Sequence, residues 1–151
     1  MLIKNYELGF SYELSDDYSE IKESSYNAFG VGPNTLNYFV QLDEEGQIDK
    51  VFSLVKDKTC LDEKEIKSVI SDNIASLKKA GFKMVYENDF ETDQGRKIYR
   101  RVFVDETGEL TYVTYFTLIH NTLVTSTTQI LDFYDEYEEE MYAVFASMVE
   151  I

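Results

Sequence analysis

The sequence is poor in the residues that build most catalytic and metal centres. Its 151 residues include one cysteine (Cys60), one histidine (His120), one proline and no tryptophan. A lone cysteine cannot form a disulfide within the chain, which is typical of proteins in a reducing compartment. A lone histidine cannot build a multi-histidine metal site without ligands of other types. We expect no resident metal and no cofactor.

Long apolar runs are also missing. The first residues, Met1 to Glu7, contain no apolar signal core, and no later stretch is apolar over the length of a transmembrane helix. We therefore expect a cytoplasmic protein without a membrane partner. A secreted protein or lipoprotein whose signal has been removed would give the same sequence pattern.

Basic residues are scarce, with 14 Lys and Arg against 29 Asp and Glu, a formal net charge of −15. A surface of that sign repels nucleic acid and anionic lipid. It favours solubility, cations or a basic protein partner. The charge predicts no binding to nucleic acid and leaves a basic protein as the favoured partner; solubility alone would also explain it.

Apolar residues are sufficient for one folded unit. Hydrophobic residues make up 44% of the chain and aromatic residues 15%, without repeats or a Pro/Ser-rich linker. The length fits one domain, which we place at 1–151.

The first third of the chain reads as strands. Apolar and polar residues alternate over 8–14 and again over 36–42, and a further apolar run covers 47–56. Turn residues at 43–46 join the last two runs into a hairpin. Residues 15–33 are expected to supply cover or a short extra helix.

One helix is predicted over 62–80. Asp62 is a good N-cap, Glu65 stands at capping-box spacing, and Gly81 is a natural residue to follow the helix. Glu63 and Lys67 have the spacing of a helical ion pair.

Four strands are predicted next, over 82–91, 96–104, 110–119 and 123–130, with His120 and Asn121 in a tight turn. The third is apolar on both faces. Such a strand is covered on both faces and lies inside the sheet. The order of elements indicates one α+β domain built on an antiparallel sheet.

A closing acidic helix is predicted over 132–149. Met141, Val144, Phe145 and Met148 form one apolar stripe. Asp132, Asp135, Glu136 and Glu139 fall on the opposite side, and with Glu138 and Glu140 they make six carboxylates in nine residues. A straight helix cannot wrap these six around calcium. They are either a solvated face stabilised by the helix dipole or a docking surface for a basic partner.

A basic cluster stands out in this acidic chain: Arg96, Lys97, Arg100 and Arg101. If the turn lies at 93–95, the register places Lys97 opposite Glu91 and Arg101 opposite Glu87. Such cross-strand pairs stabilise a hairpin. Arg96 and Arg100 are left for an anionic ligand or partner.

The opening strand carries a family resemblance. Leu8-Gly9-Phe10-Ser11-Tyr12-Glu13-Leu14 resembles the start of PsbP-like domains, in which a glycine–aromatic–serine–aromatic strand ends at a proline and a tryptophan. Here Ser15 and Tyr18 stand in those two places. The superfamily includes photosystem II extrinsic proteins, a Ran-binding nuclear import factor and bacterial DcrB-like proteins.

The resemblance implies an α/β/α sandwich, and its better-known members act by binding. We therefore predict a central antiparallel sheet of six to seven strands, with helices 62–80 and 132–149 packed on it. The fold does not carry a function from one member to another.

Three functional hypotheses follow. The first is a non-enzymatic binding or accessory protein of bacterial type that acts through protein contacts, with candidate residues Arg96, Arg100, Asp135, Glu136 and Glu139. The second is a small-ligand carrier whose pocket is lined by Tyr38, Tyr86, Tyr99, Tyr112 and Tyr115. The third is an enzyme that uses Cys60 with His120 as a thiol site, which requires the two to meet in space.

Overall fold

A computed structural model describes residues 1–130 and 135–151. Within these ranges the chain forms ten strands, one 3₁₀ helix and two α helices. The strands are β1 (Leu2–Asn5), β2 (Phe10–Glu13), β3 (Ser19–Glu20), β4 (Thr35–Leu42), β5 (Ile48–Thr59), β6 (Lys83–Glu91), β7 (Lys97–Val104), β8 (Thr111–Ile119), β9 (Thr122–Ile130) and β10 (Val149–Glu150). The 3₁₀ helix is Glu23–Phe29, and the α helices are α1 (Glu63–Lys79) and α2 (Asp135–Ala146).

Seven of the described strands form one antiparallel sheet, the main sheet, in the order β3-β4-β5-β9-β8-β7-β6. This confirms the predicted sheet of six to seven strands. β8 lies inside it, and every residue of β8 is buried or half-buried. The turn between β8 and β9 has positive φ at His120 and Asn121, as the tight turn predicted there requires.

The main sheet is covered on both faces. Because neighbouring residues in a strand point to opposite faces, Tyr99 and Phe116 lie on one side and Ile98 and Tyr115 on the other. The first side packs against Ile66 and Ile70 of α1. The second packs against the apolar stripe of α2, with Met141, Val144, Phe145 and Met148 all buried. The predicted α/β/α sandwich is confirmed.

A small second sheet, in the order β1-β2-β10, lies on the α2 side. The strand predicted over 8–14 corresponds to β2 and belongs to this small sheet. The predicted end of the last helix at 149 is wrong, because α2 ends at Ala146 and residues 149–150 pair with β2. The N–H of Ile151 continues this pairing by donating to Gly9 O at 2.9 Å.

The caps of α1 are as predicted, but its ion pair is not. The Asp62 side chain accepts from the N–H of Glu65 at 2.8 Å, and Gly81 follows the helix with φ of +93°. Glu63 pairs with Lys97 of β7, and Lys67 pairs with Asp89 of β6. The helical pair is wrong because both side chains reach the neighbouring sheet.

The two edges of the main sheet differ. At one edge, residues 15–33 supply the predicted cover, since β3 pairs with β4 and the 3₁₀ helix packs Tyr26 and Phe29 against Tyr38. At the other edge lies β6, which is nine residues long. Among the described residues, no strand pairs with its outer side.

Candidate functional site

The β6–β7 hairpin holds the basic cluster in the predicted register. Glu91 lies opposite Lys97 and Glu87 opposite Arg101. Arg101 reaches Glu87 at 3.4 Å, whereas the Lys97 ammonium pairs with Glu63 of α1.

Arg100 joins the hairpin to α2. Its Nη2 donates to Glu138 Oε1 at 2.8 Å, and its Nη1 donates to Asn88 Oδ1 at 2.9 Å. The hydroxyl of Tyr115 donates to the other oxygen of Glu138 at 2.6 Å. One carboxylate of α2 therefore fixes both an arginine and a tyrosine of the main sheet.

These residues lie in an open groove of about 510 Å³ between β6, β7 and α2. We call it the Arg100 groove, lined by Asn88, Phe90, Arg100, Tyr115, Glu138, Glu139 and Tyr142. The rings of Phe90 and Tyr142 stack with centroids 5.8 Å apart. The groove combines an aromatic wall with an exposed carboxylate, Glu139, on α2.

Arg100, Tyr115 and Glu138 form the floor of the groove and are hydrogen-bonded to one another through Glu138. Burial alone would lower the pKa of Arg100, but the hydrogen bond and the charge of Glu138 raise it above its ordinary value. Burial, together with the hydrogen bond to Glu138, raises the pKa of Tyr115. At neutral pH the floor therefore holds an arginine cation and a neutral phenol, both hydrogen-bonded to Glu138.

Arg96 lies in a different place. Its Nη1 donates to Leu118 O at 2.9 Å, and its Nη2 lies 3.4 Å from Met148 O. Burial lowers the pKa of Arg96, and the charge of Glu150 opposes that shift. Arg96 lines a second open groove of about 600 Å³, which the first turn of α1 also lines through Glu63 and Ile66.

The two arginines therefore do not form one site. Each makes contacts within the chain, so an anionic partner would have to share or displace them. Their role in binding stays a prediction.

The carboxylates of the closing helix divide into two groups. Glu136 and Glu139 are exposed, as predicted. Glu138 and Glu140 instead contact the body of the protein, the latter accepting from the Tyr18 hydroxyl at 2.9 Å. Asp132 and the side chain of Asp135 lie outside the described residues. The sequence did not predict the inward contacts of Glu138 and Glu140, because helical periodicity identifies only the apolar stripe.

A charge network around one buried arginine lies on the α1 side of the same hairpin. The side chain of Arg101 is 1% exposed, and its Nη1 lies 2.8 Å from Asp89 Oδ1. Lys67 of α1 contacts the other oxygen of Asp89 at 2.5 Å. Asp89 thus joins a buried arginine to a helix. The sequence pattern gave no signal for it because Asp89 looks like one more acid on an exposed edge strand.

This network predicts a specific loss of stability in acid. Burial opposes ionisation of Asp89, but hydrogen bonds from Lys67 and Arg101 outweigh it and lower the pKa of the carboxyl. A lowered pKa gives stability that is present above the unfolded value, about 3.9, and is lost as the pH falls through the folded value. The unfolding free energy of the native chain should therefore fall more steeply below about pH 4 than that of Asp89→Asn.

Urea unfolding of both proteins from neutral pH to about pH 3 measures this difference. The gap between them should be constant above about pH 5 and should narrow below it. Glu44→Gln, in an exposed turn, is the control. A gap that stays constant into acid would contradict the prediction.

No hydrogen bond joins the side chains of Cys60 and His120 among the described residues, although the N–H of Cys60 donates to Asn121 O at 2.8 Å. The Sγ of Cys60 is buried and contacts Lys58 O at 3.7 Å, and burial raises the pKa of the thiol. The His120 ring contacts Gly9 O at 2.7 Å through Nε2 and faces Glu150 through Nδ1. The two side chains have different partners, and the thiol is held in its neutral form.

The five tyrosines of the carrier hypothesis do not line one cavity. Tyr115 lies in the Arg100 groove and Tyr99 in the second groove, which Arg96 lines. Tyr112 packs against Phe82, Tyr38 packs near the 3₁₀ helix, and Tyr86 is 61% exposed. These rings fill separate parts of the core and surface.

Two structural features are absent from residues 1–130 and 135–151. These ranges hold no group of three or more His, Cys, Asp or Glu side chains placed to bind a metal ion. They also contain no helix with the length and hydropathy needed to cross a bilayer.

No protein-family model and no curated protein sequence matches this chain. Solved structures do match. The solution structure of cyanobacterial PsbP (CyanoP) from Synechocystis sp. PCC 6803 is similar over 100% of this chain and 92% of its own, with a TM-score of 0.69 and 12% identity.

Two further structures share the fold at low identity. LpqN of Mycobacterium tuberculosis, described as involved in cell envelope biogenesis, covers 99% of this chain and 88% of its own, with a TM-score of 0.56 and 15% identity. The Ran-binding protein Mog1p of Saccharomyces cerevisiae covers 99% and 94%, with a TM-score of 0.54 and 11% identity. The chain therefore has the PsbP-like fold suggested by its opening strand.

Proposed function

We propose that this protein is a non-enzymatic accessory protein that binds a basic segment of another protein beside the Arg100 groove. The observation that carries the proposal is the distribution of charge around the groove. Its floor is internally paired through Glu138, whereas exposed carboxylates lie around it. The Ran-binding protein with the same fold offers a precedent for protein binding on this scaffold.

The exposed carboxylates come from two elements. On β6, Glu87 and Glu91 are exposed and flank the stretch that contributes Asn88 and Phe90 to the groove. On α2, exposed Glu136 and Glu139 stand at helical spacing i, i+3 and share one face. We call these four residues the acidic face of the β6 edge, with two on its α1 side and two on its α2 side: Glu87 and Glu91, then Glu136 and Glu139.

A basic segment fits this surface better than an anionic one. The arginine cation on the groove floor is already matched by Glu138, and the formal net charge of the chain is −15. Opposite charge speeds association and selects the partner, while the exposed rings of the groove wall supply contact area.

A synthetic oligo-arginine peptide is a suitable probe. Calorimetric titration should give an affinity that falls as salt is raised. Changing the four glutamates of the acidic face to glutamine should weaken binding roughly tenfold, because each exposed pair contributes about 0.2–1 kcal/mol.

A matched control removes the same charge from the opposite part of the main sheet. It carries Glu23→Gln, Glu44→Gln, Glu45→Gln and Asp49→Asn, all at exposed positions. Equal loss of affinity in both variants would mean that net charge alone attracts the peptide and would overturn the proposed site.

A further inference from the structure

We propose that β6 is the docking edge itself, and that the partner adds to it as an eighth strand of the main sheet. The inference rests on the proposed function and specifies how the basic segment binds. Its occupant is an extended segment in which basic and apolar residues alternate.

The first argument is the difference between the two edges of the main sheet. The β4 edge is covered by β3 and by the 3₁₀ helix. The nine residues of β6 have no strand on their outer side among the described residues. An uncovered edge presents unpaired N–H and C=O groups to any extended chain.

The direction of these groups follows from the hairpin turn. The N–H of Thr92 donates to Arg96 O at 2.9 Å, and Gly95, with φ of +84°, closes the turn by donating to Thr92 O. Hydrogen bonds alternate along an antiparallel pair, so alternate residues of β6 direct their N–H and C=O away from β7. Counting back from Thr92, those residues are Glu91, Asp89 and Glu87.

The same three residues are acidic, and their side chains share the α1 face of the sheet. Asp89 is already paired with Arg101 and Lys67. Glu87 remains half-exposed beside Arg101, and Glu91 makes no ion pair within the described ranges. Backbone groups and spare negative charge are therefore offered at the same positions.

The other face of β6 selects apolar residues. Asn88 and Phe90 point toward α2, where the ring of Phe90 stacks on Tyr142. An added strand would place its alternate side chains beside these rings. Residues of the added strand opposite Glu87 and Glu91 should be Arg or Lys. Those opposite Asn88 and Phe90 should be apolar.

Charge argues against a second copy of this chain as the occupant. An antiparallel β6–β6 pair would bring the acids Glu87, Asp89 and Glu91 of two copies together in a protein with a formal net charge of −15. Like charges placed directly opposite destabilise such a pair. Carboxylates on an exposed edge thus block self-association and admit a basic strand.

The test uses synthetic peptides in which arginine and valine alternate, with the full-length protein. In the free protein the amide protons of Glu87, Asp89 and Glu91 should exchange fast, and saturating peptide should slow them at least roughly tenfold by hydrogen exchange. A peptide of the same composition with its arginines in one block should bind more weakly.

Two N-methylated peptides separate strand addition from charge attraction. In the antiparallel pairing proposed, methylation on the arginine residues removes the N–H groups that face β6 and should abolish binding, whereas methylation on the valines should not. If both methylated peptides bind like the parent, a charged partner binds without strand addition: the proposed function holds and this inference fails. If the parent peptide does not bind, both the proposed function and this inference fail.

Self-association gives a different result. Protection of β6 that appears without peptide and grows with protein concentration would identify a second copy as the occupant and overturn the inference.

Discussion

Replacing Phe145 by alanine should lower the free energy of unfolding by about 3–5 kcal/mol, the usual cost for a buried phenylalanine. Phe145 is fully buried and stacks on Tyr115 with ring centroids 5.2 Å apart. Its loss removes one of the contacts between α2 and the middle of the main sheet and leaves a cavity. Urea unfolding followed by circular dichroism measures the change.

Two controls on α2 separate packing from helix propensity and charge. Tyr142→Ala, at a position that is 40% exposed, should cost clearly less than Phe145→Ala. Glu136→Gln with Glu139→Gln should stay within roughly 0.5 kcal/mol per site, as for ordinary surface positions. If the acidic pair proves the costlier change, these carboxylates are engaged with a cation or basic neighbour and are not simply solvated.

Replacing Asp89 by alanine should cost about 3 kcal/mol, the low end of the range for breaking a buried ion pair, because the arginine is buried while the carboxylate is 27% exposed. The substitution leaves the guanidinium of Arg101, 1% exposed, with Glu87 at 3.4 Å as its remaining carboxylate among the described residues. We place the effect at the low end because Glu87 still compensates part of the charge.

Replacing Arg101, the other member of the pair, should lower the unfolding free energy less than replacing Asp89. Arg101→Met removes the buried charge and keeps much of the side-chain volume, while Asp89 retains Lys67. Exchanging a buried charge for a packed apolar side chain is often nearly neutral. The decisive comparison is therefore whether Asp89→Ala or Arg101→Met lowers the unfolding free energy more. A costlier Arg101→Met would show that the arginine stem matters more than its charge.

The elements of the main sheet other than β3 were predictable because each has a local pattern. Alternation placed most of its strands, the caps of Asp62 and Gly81 placed α1, and the turn at 93–95 gave the correct register of β6 and β7. β1 and β10 were missed because strands of four and two residues carry no usable periodicity. Pairing between distant segments creates them.

The candidate site was predictable only in part. A register argument separated Arg101 from Arg100, but it could not show that Arg100 meets Glu138 of a helix distant in sequence. The same limit hid Asp89, whose contacts come from α1 as well as β7. Side chains that join separate elements depend on tertiary packing, which neither period-two nor helical spacing reports.

The topology of the small sheet affects the order in which its strands can pair during synthesis. β2 lies between β1 and β10, and Ser11 is paired with Val149. A ribosome adds roughly 5–20 residues per second, so β2 waits on the order of ten seconds after its own synthesis for its second neighbour. One side of this early strand therefore stays open until the tail has been made. The pairing of β10 with β2 therefore forms after every other described strand of the two sheets has been synthesised.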